Sequence, residues 1–285
     1  MIVIGGSYTV GLASKVADMV GCAFDATEIK KFPDGEIYVR VDSELDGVDV
    51  LFIQSAPDNN AIIESILILD ALRDLGAKRI NAVFPYLAYM RQDKRFKAGE
   101  ALSAKTILSL LNDKTDELTL VNAHFLDNGG AHVYHGVSIN NLDALPALAR
   151  YFADRLDNPV FIAPDKGAMR AVKEAASKQD CDFDYLEKNR LNGEEVNIKP
   201  KDLKIEGRNV VLLDDMISTG GTMIKASEAL RRQGADSINL GCVHGVFSRG
   251  AKAFDEVCDS IVCSDTIKRK ESMISVADLI AQHVM

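Results

Sequence analysis

The chain reads as an α/β protein made of two tandem units with mainly parallel sheets. Three observations predict this. Short apolar runs alternate with segments of helical periodicity almost throughout the 285 residues. Runs such as Val210–Leu213 are apolar at successive positions, as in strands covered on both faces. The cycle also restarts after Asn158-Pro159, so the order of elements in the second half echoes the first, although no residue-level repeat is visible.

In chain order, Met1–Ile4 opens as a strand and Val10–Met19 as a helix. Glu36–Val41 alternates like a half-exposed strand, and Val48–Ile53 is an apolar one. Asn59–Leu75 carries a helical stripe of Ile62, Ile66, Leu69 and Leu72 that stops at Gly76. Arg79–Phe84 and Glu117–Val121 are strands on either side of a helix at Ala104–Leu111. Leu142–Leu156 is helical again and ends before Asn158-Pro159. There follow a strand at Val160–Ile162, a helix at Met169–Ser177 and strands at Phe183–Leu186 and Val210–Leu213. The helix marked by Met223, Ala226 and Leu230 closes at Gly234. Strands at Ser237–Cys242 and Ser260–Cys263 and a helix at Val276–Val284 complete the chain.

Length suggests two domains, divided near Asn141 into 1–141 and 142–285. A hydrophobic content of 47% and a charged content of 26% suit a soluble globular protein. The formal charge of −9 argues against a nucleic-acid partner, because a phosphate backbone is held by net positive surfaces. No apolar run reaches membrane-spanning length, and even Ile62–Leu72 is broken by Glu64, Ser65 and Asp70. A cytoplasmic protein with no membrane partner is the expectation. Five cysteines without a Cys-x-x-Cys pair read as reduced, buried thiols. His132-x-x-His135 has no cysteine or acidic partner at zinc-site spacing.

The most informative string is VVLLDDMISTGGTM at 210–223. Asp214 and Asp215 stand where the apolar strand is expected to end, and ligands in α/β sheets bind beyond that edge. The following helix N-terminus offers unpaired N–H groups to an anion. Gly220 and Gly221 let the backbone approach a phosphate, and Ser218, Thr219 and Thr222 add hydroxyls. The two carboxylates suit sugar hydroxyls or a divalent cation instead, so a phosphorylated sugar satisfies both halves. A helix cap alone needs one acceptor, not this whole string. The chain has neither a Walker A loop nor a Gly-x-Gly-x-x-Gly fingerprint.

Two more strings narrow the reading. PYLAYMRQDKRF at 85–96 places Arg91, Lys94 and Arg95 with Gln92 after a strand, where guanidinium groups suit polyphosphate oxygens. FPDGE at 32–36 is a tight turn with an exposed aromatic between carboxylates; on its own it reads as a turn into a strand. If it binds, Phe32 stacks on a base while Asp34 and Glu36 accept from an exocyclic amine.

The string at 210–223 resembles the phosphoribosyl diphosphate motif of type I phosphoribosyltransferases. With KFPDGEIYVR, FPYLAYMRQDKRF and APDKGAMR in order, the chain resembles the ribose-phosphate diphosphokinases from GGSYT to the SDT at Ser264–Thr266. EKNR at 187–190 and the compact length look most like the archaeal branch. The resemblance implies two tandem type I phosphoribosyltransferase-like domains, the first on the ATP side and the second holding ribose 5-phosphate. It implies transfer of the diphosphoryl group of ATP to the 1-hydroxyl of ribose 5-phosphate, with Mg2+ as cofactor and AMP as second product.

By the same resemblance, Phe32, Asp34, Gly35 and Glu36 hold adenine in a neighbouring subunit's site, which implies a homo-oligomer. Arg91 and Gln92 match ATP ligands, and His124 and Asp165 match metal-site residues. Lys188 and Arg190 match catalytic residues, Arg190 also facing ribose 5-phosphate. Asp214 and Asp215 match the ribose and metal aspartates, and Ser218 to Thr222 the 5-phosphate loop. The chain departs from the pattern at Asn122-Ala123-His124, where relatives write Asp-Leu-His, and at Phe96, which replaces a polar residue. The short segment after Arg190 departs from allosterically regulated relatives. The alternatives are a phosphoribosyltransferase acting on a base, which needs no ATP, and a non-catalytic regulatory homologue, which would be expected to lose the Lys/Arg or acidic pair.

Overall fold

The computed structural model describes residues 1–190, 196–200 and 203–285, with the side chains of 188–190 and 196–199 left outside the description. The chain divides into two compact units, Met1–Leu142 with Ser275–Met285, and Asp143–Ile274. The first contains β1 (Ile2–Gly5), α1 (Val10–Val20), β2 (Ala23–Ala26), β3 (Glu28–Lys31), β4 (Ile37–Arg40), β5 (Asp49–Ile53) and α2 (Asn59–Asp74). It continues through β6 (Arg79–Phe84), α3 (Ser103–Asn112), β7 (Glu117–Val121), β8 (Gly130–Tyr134) and β9 (Val137–Leu142). The second unit runs α4 (Leu145–Ala153), β10 (Val160–Ala163), α5 (Met169–Ser177), β11 (Asp182–Arg190), β12 (Val196–Pro200), β13 (Asn209–Ile217) and α6 (Gly221–Arg232). It closes with β14 (Ser237–Gly245), β15 (Ser260–Ser264) and β16 (Ser272–Ile274), after which α7 (Ala277–Val284) ends the chain.

Among the described residues each unit builds one seven-stranded sheet, ordered β2-β1-β5-β6-β7-β9-β8 in the first and β12-β11-β10-β13-β14-β15-β16 in the second. All neighbours are parallel except the hairpins β8–β9 and β11–β12. Within each unit the sheet strands other than β8 and β12 follow one plan: second, first, third, fourth, fifth, sixth. The resemblance of the halves seen in element order is therefore a shared topology. A hairpin, β3–β4, follows the second strand of the first unit, and in the second unit the second strand itself, β11, turns back as the β11–β12 hairpin. The strands are apolar on both faces because helices cover both, as with the fully buried Phe52, Phe84, Phe161 and Leu212.

Local chemistry sets the helix ends. Asp58 accepts from the Ala61 amide at 2.9 Å and starts α2, and Gly76 takes a left-handed φ of 83° just past its end. Pro146 in the first turn of α4 fits its missing N–H.

The structure bears on several expectations. The half-exposed strand expected at Glu36–Val41 is present as β4, paired with β3 in a separate hairpin. The helix expected from Leu142 starts at Leu145, because 140–142 finish β9. The β8–β9 hairpin turns at His135 and Gly136, both left-handed, and His132 Nε2 meets the Asn128 carbonyl at 3.0 Å. Among the described residues no helix is long and apolar enough to cross a membrane. The five cysteines are free thiols.

The terminal helix departs furthest from a simple division at 141. Instead of joining the second unit, α7 packs on α1 of the first. Ala277 and Ile280 are fully buried, and His283 Nε2 lies 3.2 Å from the Thr119 hydroxyl of β7. A helical stripe says that a face is buried but not which sheet buries it. Ile280→Ala should therefore weaken the first unit by about 2–5 kcal/mol, the usual cost of a large-to-small change in a core. Urea unfolding checks this, and a loss below about 0.5 kcal/mol would show that α7 is only loosely docked.

Candidate active site

In the second unit the acidic pair is carried differently from the expectation. The strand does not end before Asp214. It continues to Ile217 because β14 extends with it, pairing Met216 with His244 and Ile217 with Gly245. The polar pair looked like a strand end, yet the backbone ladder passes through it. Both aspartates are half-buried, and the Asp215 amide donates to Asp214 Oδ1 at 3.0 Å. Burial first, then the charge of Asp215, holds the Asp214 carboxyl well above the usual carboxylate range; Asp165 acts in the same direction. Asp165 itself is exposed after β10 and accepts from the Gly167 amide at 2.8 Å and the Ala168 amide at 3.2 Å. Three carboxylates thus gather at one sheet edge, two strands contributing.

The 218–222 loop sits beside them. The Phe247 amide donates to Ile217 O and the Ser248 amide to Ser218 O, both at 3.0 Å, so β14 pins the loop. Gly220 adopts a φ of 78°, and a Cβ there would stand 2.2 Å from the Phe254 ring. Glycine is thus required twice over, by conformation and by contact. No side chain caps the N-terminus of α6. Its first turn keeps its donors for a ligand, while Thr219 and Thr222 are exposed and Ser218 and Gly221 half-buried. Lys188 and Arg190 lie on β11, opposite Ile198 and Val196 of β12; their side chains are outside the described residues.

In the first unit Arg91 and Gln92 follow β6 and His124 follows β7, at the carboxyl ends of neighbouring strands. Arg91 and His124 are exposed, and Asn122 takes a left-handed φ of 39° just before. Glu100, which sequence reasoning missed, shapes the basic loop. It accepts from the Phe96 amide at 2.7 Å, the Lys97 amide at 3.1 Å and Gln92 Nε2 at 3.2 Å. The two amides, with Gln92, hold its carboxyl below the usual range. Gln92 is tied inside this loop, while Arg91, Lys94 and Arg95 are exposed.

The FPDGE turn tips the β3–β4 hairpin. The Phe32 amide donates to Glu36 O at 2.8 Å, the Glu36 amide to Asp34 Oδ1 at 3.2 Å, and Gly35 has a φ of 95°. Phe32 is half-exposed and meets Tyr38 edge-on, with ring centroids 6.0 Å apart. Asp34 and Glu36 are exposed. The hairpin that carries the turn forms its own two-stranded sheet.

Among the described residues no three His, Cys, Asp or Glu side chains close on a metal position. Carboxylate oxygens such as those of Asp165 and Asp215 are the ligand type that a hard divalent cation takes.

Two open sheets, one with an uncapped helix and carboxylates at its switch point, define an open α/β fold that binds ligands at the strand ends. The comparisons narrow this. Residues 1–114 match the N-terminal domain of ribose phosphate pyrophosphokinase, and 138–278 match the phosphoribosyl transferase domain. A ribose-phosphate pyrophosphokinase of Methanosarcina acetivorans is 40% identical over 99% of this chain and 98% of its own length. Ribose-phosphate pyrophosphokinase 2 of Archaeoglobus fulgidus is 42% identical over 96% of each. The crystal structure of phosphoribosylpyrophosphate synthetase from Mycobacterium smegmatis superposes with a TM-score of 0.84 at 27% identity, covering 99% of this chain and 97% of that one. The chain belongs to the ribose-phosphate pyrophosphokinase family. It is an enzyme, a transferase that makes phosphoribosyl pyrophosphate.

The acidic pair yields a test on stability. Because the native Asp214 pKa is raised, the folded chain keeps a proton that the unfolded chain releases as pH rises past the ordinary carboxylate value. Stability falls through that window and then levels above the raised value. Asp214→Asn should remove the loss. Without divalent cation, the variant should melt near wild type at pH 4 and above it at pH 8. Equal melting temperatures at both pH values would place no strain on Asp214.

Proposed function

We propose that the second unit binds ribose 5-phosphate at the 218–222 loop and that ATP lies over the Arg91–His124 edge of the first. The observation that carries this is the uncapped start of α6 beside half-buried carboxylates on an extended strand. One feature accepts a phosphate and the other accepts from sugar hydroxyls.

On this reading Ser218, Thr219, Gly220, Gly221 and Thr222 anchor the 5-phosphate, using remote binding energy to fix the reacting end of the sugar. Asp214 and Asp215 orient the ribose hydroxyls. Arg91 and Gln92 hold ATP. The 1-hydroxyl oxygen of ribose 5-phosphate attacks the β-phosphorus, the bond from that phosphorus to the α,β-bridging oxygen breaks, and AMP departs. Positioning and charge neutralisation supply most of the acceleration in such transfers. Lys188 and Arg190 meet charge that develops on the phosphoryl oxygens, and Arg190 also contacts the sugar phosphate. On the second unit Asp165 and Asp215 would hold Mg2+, and on the first His124 would reach a divalent ion through water; a bound ion would neutralise phosphate charge.

The FPDGE turn is assigned to a neighbouring subunit's ATP site in a homo-oligomer with two-fold symmetry. Its support is an aromatic and two carboxylates left exposed at a hairpin tip.

Purified chain with ATP, Mg2+ and ribose 5-phosphate should release AMP. Asp215→Asn should slow turnover by about one to two decades, the worth of a lost charged hydrogen bond. Lys188→Ala should lower kcat far more than it weakens either substrate, as for a transition-state contact. Near-normal kinetics in Asp215→Asn, or loss of binding with kcat intact in Lys188→Ala, would overturn these roles. Mixing inactive Phe32→Ala/Glu36→Ala chains with inactive Lys188→Ala chains should restore partial activity. Verified mixed oligomers that stay inactive would return the turn to its own subunit.

A further inference from the structure

The SDT string at 264–266 has no part in the roles assigned above, yet it lies against the strand extension that carries the site. β15 pairs with β14 only as far as Cys263 opposite Cys242. β14 runs on through Val243, His244 and Gly245, and the last two pair with Met216 and Ile217, so that β13 passes through both aspartates. Among the described residues no strand continues beside this extension on its β15 side. Its carbonyl groups there need other donors.

Side chains of one following segment supply them. The Ser264 hydroxyl donates to Val243 O at 2.7 Å, and the Thr266 hydroxyl donates to the same oxygen at 3.0 Å. His244 Nδ1 lies 2.9 Å from Thr266 Oγ1, and all three side chains are buried. Farther along, Arg269 Nε donates to Gly245 O and Nη2 to Val246 O, each at 3.0 Å. The guanidinium fork thus clamps two successive carbonyls where the strand gives way to a turn.

Arg269 is exposed but well anchored. Its amide donates to Ser272 Oγ at 2.9 Å, and the Ser272 hydroxyl donates to Ser264 O at 3.0 Å, which fastens the clamp to the end of β15. The clamped residues lead directly into the amides that hold the sugar-phosphate loop, Phe247 on Ile217 O and Ser248 on Ser218 O. A continuous path of hydrogen bonds therefore runs from β15 through Arg269 and the 245–248 turn to Ser218.

We propose that Arg269 is a positioning residue for ribose 5-phosphate. By clamping Gly245 and Val246 it sets the 245–248 turn and, through that turn, the 218–222 loop that receives the 5-phosphate. Ser264 and Thr266 brace the same strand one step earlier. The inference rests on the sugar-phosphate reading of that loop given above. It requires a guanidinium and not only a positive charge, because an ammonium is a point charge without the planar fork that meets both carbonyls.

Steady-state kinetics of the full chain with ATP, Mg2+ and ribose 5-phosphate test it on three variants. Arg269→Met should raise KM for ribose 5-phosphate about tenfold, as for a lost charged hydrogen bond, and change KM for ATP by less than about twofold. Arg269→Lys, the milder change, keeps stem and charge and should still raise the same KM at least about threefold. Thr222→Val removes a loop hydroxyl, should raise that KM too, and reports on the loop itself. A merely structural role for Arg269 would lower kcat alone or move both KM values together, and either result overturns the proposal. Wild-type kinetics in Arg269→Lys overturns it as well, since charge would then suffice. If Thr222→Val raises KM for ribose 5-phosphate and Arg269→Met does not, this inference fails while the loop keeps its assignment. If Thr222→Val leaves that KM at the wild-type value, the assignment of the loop fails and this inference with it.

Discussion

The pairing of β13 with β14 beyond the apolar part of the sheet is the constraint on which the site depends. Extension of the ladder to Ile217 and Gly245 places Asp214 and Asp215 on rigid strand rather than on a loop. Their positions are fixed by backbone hydrogen bonds, and the same extension pins the 218–222 loop through Ser248 and Phe247. Holding two carboxylates side by side in a half-buried place keeps the Asp214 carboxyl above the usual range, by burial first and then by the charge of Asp215. Rigidity and charge strain therefore come from one structural decision.

The common plan of the two units explains why recognition elements fall where they do. Each has a hairpin at or after its second strand, and each hairpin carries a string singled out by chemistry: FPDGE on β3–β4, and Lys188 with Arg190 on the β11–β12 arm. Loops after the third strand start the helices α2 and α6, one capped by Asp58 and the other left open. The two units thus differ in loop chemistry while sharing one strand order.

Much of this was legible in the residues. The strands Arg79–Phe84 and Glu117–Val121 and the helix Met169–Ser177 stand at the expected bounds, because each is a clean apolar period between turn residues. The β8–β9 hairpin was missed although Val137–Leu142 alternates in burial, since its asparagines resemble a loop. The passage of β13 through two aspartates could not be read locally, because a neighbouring strand supplies the hydrogen bonds. Glu64 registered only as a break in an apolar stripe; its partners Ser7 and Gln54 are distant in sequence. Glu100 was invisible for a similar reason, since it acts on backbone amides that leave no side-chain pattern.

The return of α7 to the first unit makes the second unit an insertion rather than an appendage. During synthesis the first sheet emerges early, yet the helix that covers α1 follows the whole of the second unit. A chain interrupted anywhere before its final turn lacks part of the first unit's core, however complete the second is. Loss of α7 therefore exposes apolar surface on the first unit even when the second unit is whole.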